Sequence, residues 1–294
     1  MRSLPRRSAR AALPISLCAV LGACSATTTP SVNIPAPSAA PVTTAPATRP
    51  AGPIVLFVVE GDVLAPVVCH DGKKSVPADS EECMNMAPEG ATVILDTGAK
   101  AKVGPTVEVP CRGSEVNTFS GRKAESTDLA KAQYAIGPDT ARGVLELADG
   151  GLAATPKELE AMTALLLRET GNLFEVKPKL EVTSGLLADM DGDGAPDRVF
   201  AAFEEGRLYG VIAVFAATAP DEAINLSVQQ FNHPRLAGTT QLDGRAGREV
   251  LISGAFVEGI ENQTMTSAVS RWVLALPLPG GKDDILGMWG CRMF

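Results

Sequence analysis

The chain has only two histidines, His70 and His233, which leaves little room for histidine-based catalysis or a histidine-rich metal site. It lacks a Gly-x-Ser-x-Gly nucleophile elbow, a His-Glu-x-x-His zinc motif and a phosphate-binding glycine loop. No close pair of cysteines has the usual zinc-ligand spacing. The apolar run near the N-terminus, residues 11–21, is far shorter than the roughly 20 residues a helix needs to cross a bilayer. Positive charge is scarce, with 26 basic against 34 acidic residues. Nucleic acid and anionic lipid both demand basic surface, so neither is expected as the main partner.

The N-terminus is patterned nonetheless. Arg2, Arg6, Arg7 and Arg10 make a basic start that contains no acid, and the short apolar stretch follows. Leu21-Gly22-Ala23-Cys24 then places an aliphatic residue and two small residues before a cysteine. This order reads as an export signal. Arg6-Arg7 is continued by Ser8-Ala9-Arg10, a poor match to the twin-arginine export motif.

The Leu21–Cys24 motif resembles the lipobox of bacterial lipoproteins. The resemblance implies that residues 1–23 are a signal peptide, that the Cys24 thiol is acylated, and that Cys24 becomes the mature N-terminus. It also implies a lipid anchor in the cell envelope. Ser25 stands where lipoproteins retained in the inner membrane often carry Asp, so outer-membrane sorting is expected in a Gram-negative host, at the periplasmic face or the cell surface.

Loss of the four signal arginines takes the basic count from 26 to 22 against 34 acids, a formal charge of -12. Four cysteines then remain beyond Cys24: Cys69, Cys83, Cys111 and Cys291. An even number in an exported chain reads as disulfides, with three pairings open. Cys69–Cys83 is favoured because it closes a polar loop; Cys111–Cys291 would then tie the C-terminus to the first half of the fold.

Residues 24–52 read as a tether. The stretch is built from Ala, Pro, Thr and Ser, with six prolines and one charge, Arg49, and cannot bury a core. Fully extended it reaches about 85 Å. From Pro53 onward the pattern changes. Ile54–Val59 reads as a buried strand, and further strand signals lie at 65–68, 91–95, 106–109, 133–136 and 144–147. Thr155-Pro156-Lys157-Glu158 predicts a helix over 156–170, with Thr as N-cap, Pro in the first turn and Glu closing a capping box. Strand signals return at 174–176, 180–182, 198–203, 209–215, 224–229, 250–252 and 271–276. The expected class is mainly β with one central helix, α+β being the alternative, and the helix suggests a division into 53–154 and 155–294.

One loop carries chemistry. Asp189-Met-Asp191-Gly-Asp193-Gly194-Ala195-Pro-Asp197 sets carboxylates at positions 1, 3, 5 and 9. Alternate side chains curl around one point, as six to eight oxygen ligands at ~2.4 Å of a calcium ion require. The Ala195 carbonyl, at position 7, is expected to add an oxygen. Position 12 is Phe200 instead of the acid an EF-hand needs, so the loop runs into a strand. This arrangement resembles the FG-GAP and VCBS repeats, integrin-type calcium loops between strands of propeller blades, and implies calcium binding by Asp189, Asp191, Asp193 and Asp197.

A second copy follows 52 residues later, where Gln241, Asp243, Arg245 and Glu249 replace the four aspartates. Arg245 argues against a second ion. Two copies cover only part of the chain, so propeller-blade-like repeats are expected but not a complete propeller. The function these features imply is a binding or structural domain, stabilised by calcium and held at the envelope, with an envelope protein or glycan as the partner. The alternative is an envelope hydrolase using acids such as Asp149, Glu158 or Glu169, which no spacing singles out.

Overall fold

The computed structural model describes residues 52–291 apart from 112–117, 139–144, 149–150, 172, 175, 205, 207–208, 258–266 and 276–283. Within 230–232, 255–257, 267–272, 274–275, 284–285, 288 and 291 it describes the backbone alone. The signal, Cys24, the tether up to residue 51 and Asp149 lie outside the described residues.

Ile54–Glu60 forms strand β1, buried along almost its whole length. Its alternate residues serve two cores. Val55, Phe57 and Val59 point into one cluster, while Ile54, Leu56 and Val58 join another. A strand covered on both faces has no polar side to show, which is why this segment is continuously apolar. β2 (Val63–His70) returns antiparallel to β1, with a bulge between Leu56 and Phe57 that sets Phe57 opposite Pro66. β3 (Ser75–Val76) adds to β2, and a short helix, α1 (Glu81–Met86), follows.

β4 (Thr92–Leu95), β5 (Lys100–Pro110), β6 (Thr118–Glu125) and β7 (Tyr134–Gly137) complete the first sheet. Its order is β1-β7-β4-β5-β6-β2, and β1 pairs again with β2, so six strands close into a barrel. Closure removes free edges. The Cys69–Cys83 disulfide pins α1 to β2 with both cysteines buried, as the favoured pairing expected. Cys111 is also disulfide-bonded; the side chain of Cys291, its expected partner, lies outside the described residues.

The second sheet runs β15-β14-β13-β12-β11-β10-β9, with β8 (Leu145–Leu147) beside β12. Its strands are β9 (Leu180–Ala188), β10 (Asp197–Glu204), β11 (Tyr209–Phe215), β12 (Ile224–Thr240), β13 (Glu249–Val257), β14 (Ser267–Ala275) and β15 (Asp284–Cys291). The 17-residue β12 pairs with β11 along its first half and with β13 along its second. The sheet curls so that the end strand β9 returns to β12: Leu236 N–H donates to Ser184 Oγ at 2.8 Å, and Thr183 Oγ1 donates to the Pro234 carbonyl. Leu186, Val199, Ile212, Leu226, Leu236 and Val250 fill the curl.

Helix α2 (Pro156–Glu169) covers the opposite face, setting Met162, Leu165 and Leu166 on Phe200, Val211 and Phe215. The expected capping box is present, with Thr155 N–H donating to Glu158 Oε2 at 2.6 Å. The outer face of the barrel and the second sheet share a core in which Val67 and Tyr134 meet Leu242, Leu251 and Trp289.

The mainly β class stands, and three expectations change. The sheets are a closed barrel and a curled open sheet, so the two loop copies lie in one continuous sheet and not in separate blades. A second helix, α1, was missed: its six residues are too short for a periodic signal, and Ser80 caps it by accepting Cys83 N–H. The strand signal at 174–176 is not met at its described residues: neither Phe174 nor Val176 lies in a strand, Phe174 packs its ring against Tyr209, and Val176 is exposed.

A candidate metal centre and its second copy

The acidic loop joins β9 to β10, two neighbouring strands that pair Ala188 with Asp197 across the base of the turn. The loop is held by its own backbone. Gly192 N–H donates to Asp189 Oδ1 at 2.7 Å and Gly194 N–H to Asp189 Oδ2 at 3.0 Å. Both glycines have positive φ, +80° and +86°, which a side chain rarely adopts. Asp193 N–H donates to Asp191 Oδ1 at 3.1 Å.

Asp197 is the anchor. It is fully buried at the start of β10, and each carboxylate oxygen accepts a backbone N–H: Met190 at 2.8 Å and Ala217 at 2.9 Å. Burial pushes its carboxyl above the usual range against those two hydrogen bonds, and the Asp191 and Asp193 charges push the same way. A cation beside it would relieve the strain of holding that charge.

One carboxylate oxygen from each of Asp189, Asp191 and Asp197 lies within 4.8 Å of the other two. Asp193, expected as a fourth ligand, is not in this group; its Oδ1 accepts Ala195 N–H at 2.7 Å. Ala195 itself is half-buried. Among the described residues none of the four aspartates has a basic partner. Three converging carboxylates, one of them buried, are an all-oxygen donor set that suits a hard divalent cation. The Met190 and Ala217 N–H groups that orient Asp197 were not foreseen. The apolar residue just before the second loop acid, buried in both copies as Met190 and Leu242, was the signal.

The second copy, 241–249, leads into β13 and repeats the construction. Leu242 N–H donates to Glu249 Oε2 at 3.0 Å, as Met190 does to Asp197. Arg245 N–H donates to Asp243 Oδ1 at 2.8 Å, as Asp193 does to Asp191. Gly244 has φ +72° where Gly192 has +80°. Glu249 is buried, and burial followed by the Asp243 charge pushes its carboxyl up to about 8. The Arg245 guanidinium pairs with Asp243, and Gln241 Nε2 donates to the Arg245 carbonyl at 2.8 Å.

The acids weighed for hydrolysis are engaged elsewhere. Glu158 is buried in the capping box and also takes Arg198 Nε at 2.5 Å and Nη2 at 3.2 Å. Burial alone would raise its carboxyl, but the hydrogen bonds from Arg198 and Thr155 outweigh it and hold the group below the usual range. Glu169 pairs with Arg168 at 3.0 Å. Glu204 is buried at the end of β10, with Oε1 accepting Gly206 N–H. His70 is buried and its Nδ1 accepts Gly72 N–H, whereas His233 is exposed and stacks near Phe203. A cavity of about 440 Å³ lies between β8, β9 and β12, lined by Leu147, Leu152, Leu186, Leu187, Glu146 and Thr239.

Comparison with protein families, with curated proteins and with solved structures finds no match to the chain. Fold and site define the chain only as a mainly β protein, a barrel joined to a curled sheet, with an acidic inter-strand loop.

Proposed function

We propose that the protein is a lipid-anchored envelope protein of bacteria whose β-rich domain binds or supports a partner and is stabilised by calcium. The observation that carries the calcium reading is the convergence of Asp189, Asp191 and Asp197 around the buried Asp197. Calcium fits this donor set because it accepts six to eight oxygens in flexible geometry, and carbonyls or water can complete a site that three carboxylates begin. The ion would act structurally, tying the β9–β10 turn to the start of β10. The likeness to FG-GAP and VCBS calcium loops is part of the same proposal, as is acylation at Cys24 after Leu21-Gly22-Ala23. The partner class we favour is an envelope protein or glycan, in keeping with an acidic exported chain.

Calorimetric titration of the full chain with calcium chloride is the direct test. One ion per chain, lost in Asp191→Ala, supports the reading; no heat at millimolar calcium rejects it. Intact-mass analysis of the native protein checks the anchor: lipid on Cys24 is expected, and an unmodified Cys24 rejects it.

A further inference from the structure

The two loops are one device built twice, and they differ in where the positive charge comes from. We infer that Arg245 is the resident cation of the second loop, supplying from within the chain the charge that the first loop leaves to an ion. The inference rests on reading the first loop as a cation site, and it makes the second loop a metal-independent support for it.

Three observations carry this. Part of the hydrogen-bond frame recurs at an offset of 52 residues: the N–H donations of Met190 and Leu242, those of Asp193 and Arg245, and the positive φ at Gly192 and Gly244. A frame kept this closely implies a shared electrostatic requirement. The charges are then balanced differently. The first loop holds four aspartates, none with a basic partner among the described residues. In the second, Gln241 is neutral and Asp243 is paired with Arg245, both largely buried. A charge-assisted pair in such a place is short and directional.

The third observation is contact. The loops lie against each other, and Arg248 N–H donates to the Asp189 carbonyl at 3.0 Å. A Cβ on Gly192 would stand 2.7 Å from the Ala246 carbonyl carbon and 2.8 Å from Gly247 N. A Cβ on Gly247 would run into the Met190 carbonyl oxygen and lie 3.3 Å from Asp191 N. A side chain at either glycine would push the loops apart. The residue that must stay in place for Asp189 and Asp191 to converge is therefore held partly by a loop that needs no ion.

The test compares the full chain with Gln241→Asp/Arg245→Asp, which sets acids at the same four positions as in the first loop, and with Arg245→Met and Arg245→Lys. Calcium titration should show one ion per chain in the wild type and two in the double variant. In EDTA, Arg245→Met should melt roughly 3 °C or more below wild type, with calcium recovering part of the loss, while Arg245→Lys keeps the wild-type melting temperature and gains no ion. A folded double variant with no added calcium overturns the inference, and so does an Arg245→Met that melts with wild type in EDTA. If the double variant does not fold, the Arg245→Met comparison decides. If wild type binds no calcium but the double variant binds one, the reading of the first loop falls and the role of Arg245 stands.

Discussion

Asp191 and Asp197 face the same point from different environments, and the difference predicts different mutants. Asp191 is exposed, so Asp191→Asn should leave the metal-free protein within about 0.5 kcal/mol of wild type and abolish only the calcium-dependent gain. Asp197 accepts two backbone N–H bonds while fully buried. Asp197→Asn sets an amide NH₂ against one of those donors and should cost about 1–3 kcal/mol even without metal. Urea denaturation in EDTA separates the two; equal losses would refute the assignment of Asp197 as anchor. Glu249 sets a pH dependence. Its carboxyl lies at about 8 in the fold and at 4.5 in the reference chain, so the native state keeps a proton that the unfolded chain releases. Stability attributable to Glu249 is therefore highest below about 4.5 and falls as pH rises to about 8, by at most ~1.4 kcal/mol per pH unit. Glu249→Gln should flatten that slope in denaturation series at pH 5, 6.5 and 8. An unchanged slope would show that another group carries it.

Among the elements, α2 depends on a capping pair at its start and on one residue far along the sequence. Thr155 and Glu158 close the capping box, and Arg198 of β10 reaches the same carboxylate, fastening the helix to the sheet it covers. Thr155→Ala should cost ~1 kcal/mol, the usual value of an N-cap. Glu158→Ala should cost ~2 kcal/mol, because it leaves the Thr155 N–H without its acceptor and the half-buried Arg198 guanidinium with the Ala153 carbonyl in place of a carboxylate. Because Glu158 is held below the usual carboxylate range, its contribution is present above the unfolded value and is lost as pH falls through its folded pKa, a window below about 4.5. Thermal melts of the two variants at pH 7 and pH 3.5 check both statements: the Glu158→Ala deficit should shrink at the lower pH. A deficit of the same size at both would assign the loss to packing.

For the whole molecule, closure is the organising feature. The barrel leaves no edge among its six ring strands, and the second sheet shares the apolar outer face of that barrel, so the two sheets cannot separate without exposing Leu56, Tyr134 and Leu251. The Cys69–Cys83 bridge spans 14 positions and secures α1 against β2. Restriction of the unfolded chain by a loop of that size contributes ~3 kcal/mol. Cys69→Ala/Cys83→Ala should lose about that much in urea denaturation and keep its calcium stoichiometry, because the loop lies in the other sheet. Loss of the ion in that variant would show that barrel and metal loop unfold together.

What the sequence determined by itself is what neighbouring residues decide. Strand Ile54–Glu60, the capping box at Thr155, the Cys69–Cys83 closure and the turn of Asp189–Asp197 were legible because each signal sits within one short stretch of chain. The tertiary structure decided the rest, through strand pairings and side-chain partners that the local pattern does not mark. It closed β1 on β2 and β7, split β12 between two partners, buried Glu204 and brought Arg198 to Glu158. It also selected three of the four aspartates. Asp197 converges because β10 carries it into the sheet, where Ala217 and Met190 fix both oxygens, whereas Asp193 remains exposed on the turn and spends its oxygen on Ala195 N–H. Spacing along the chain brings carboxylates near one another; which of them meet depends on the strands that hold the two ends of the loop.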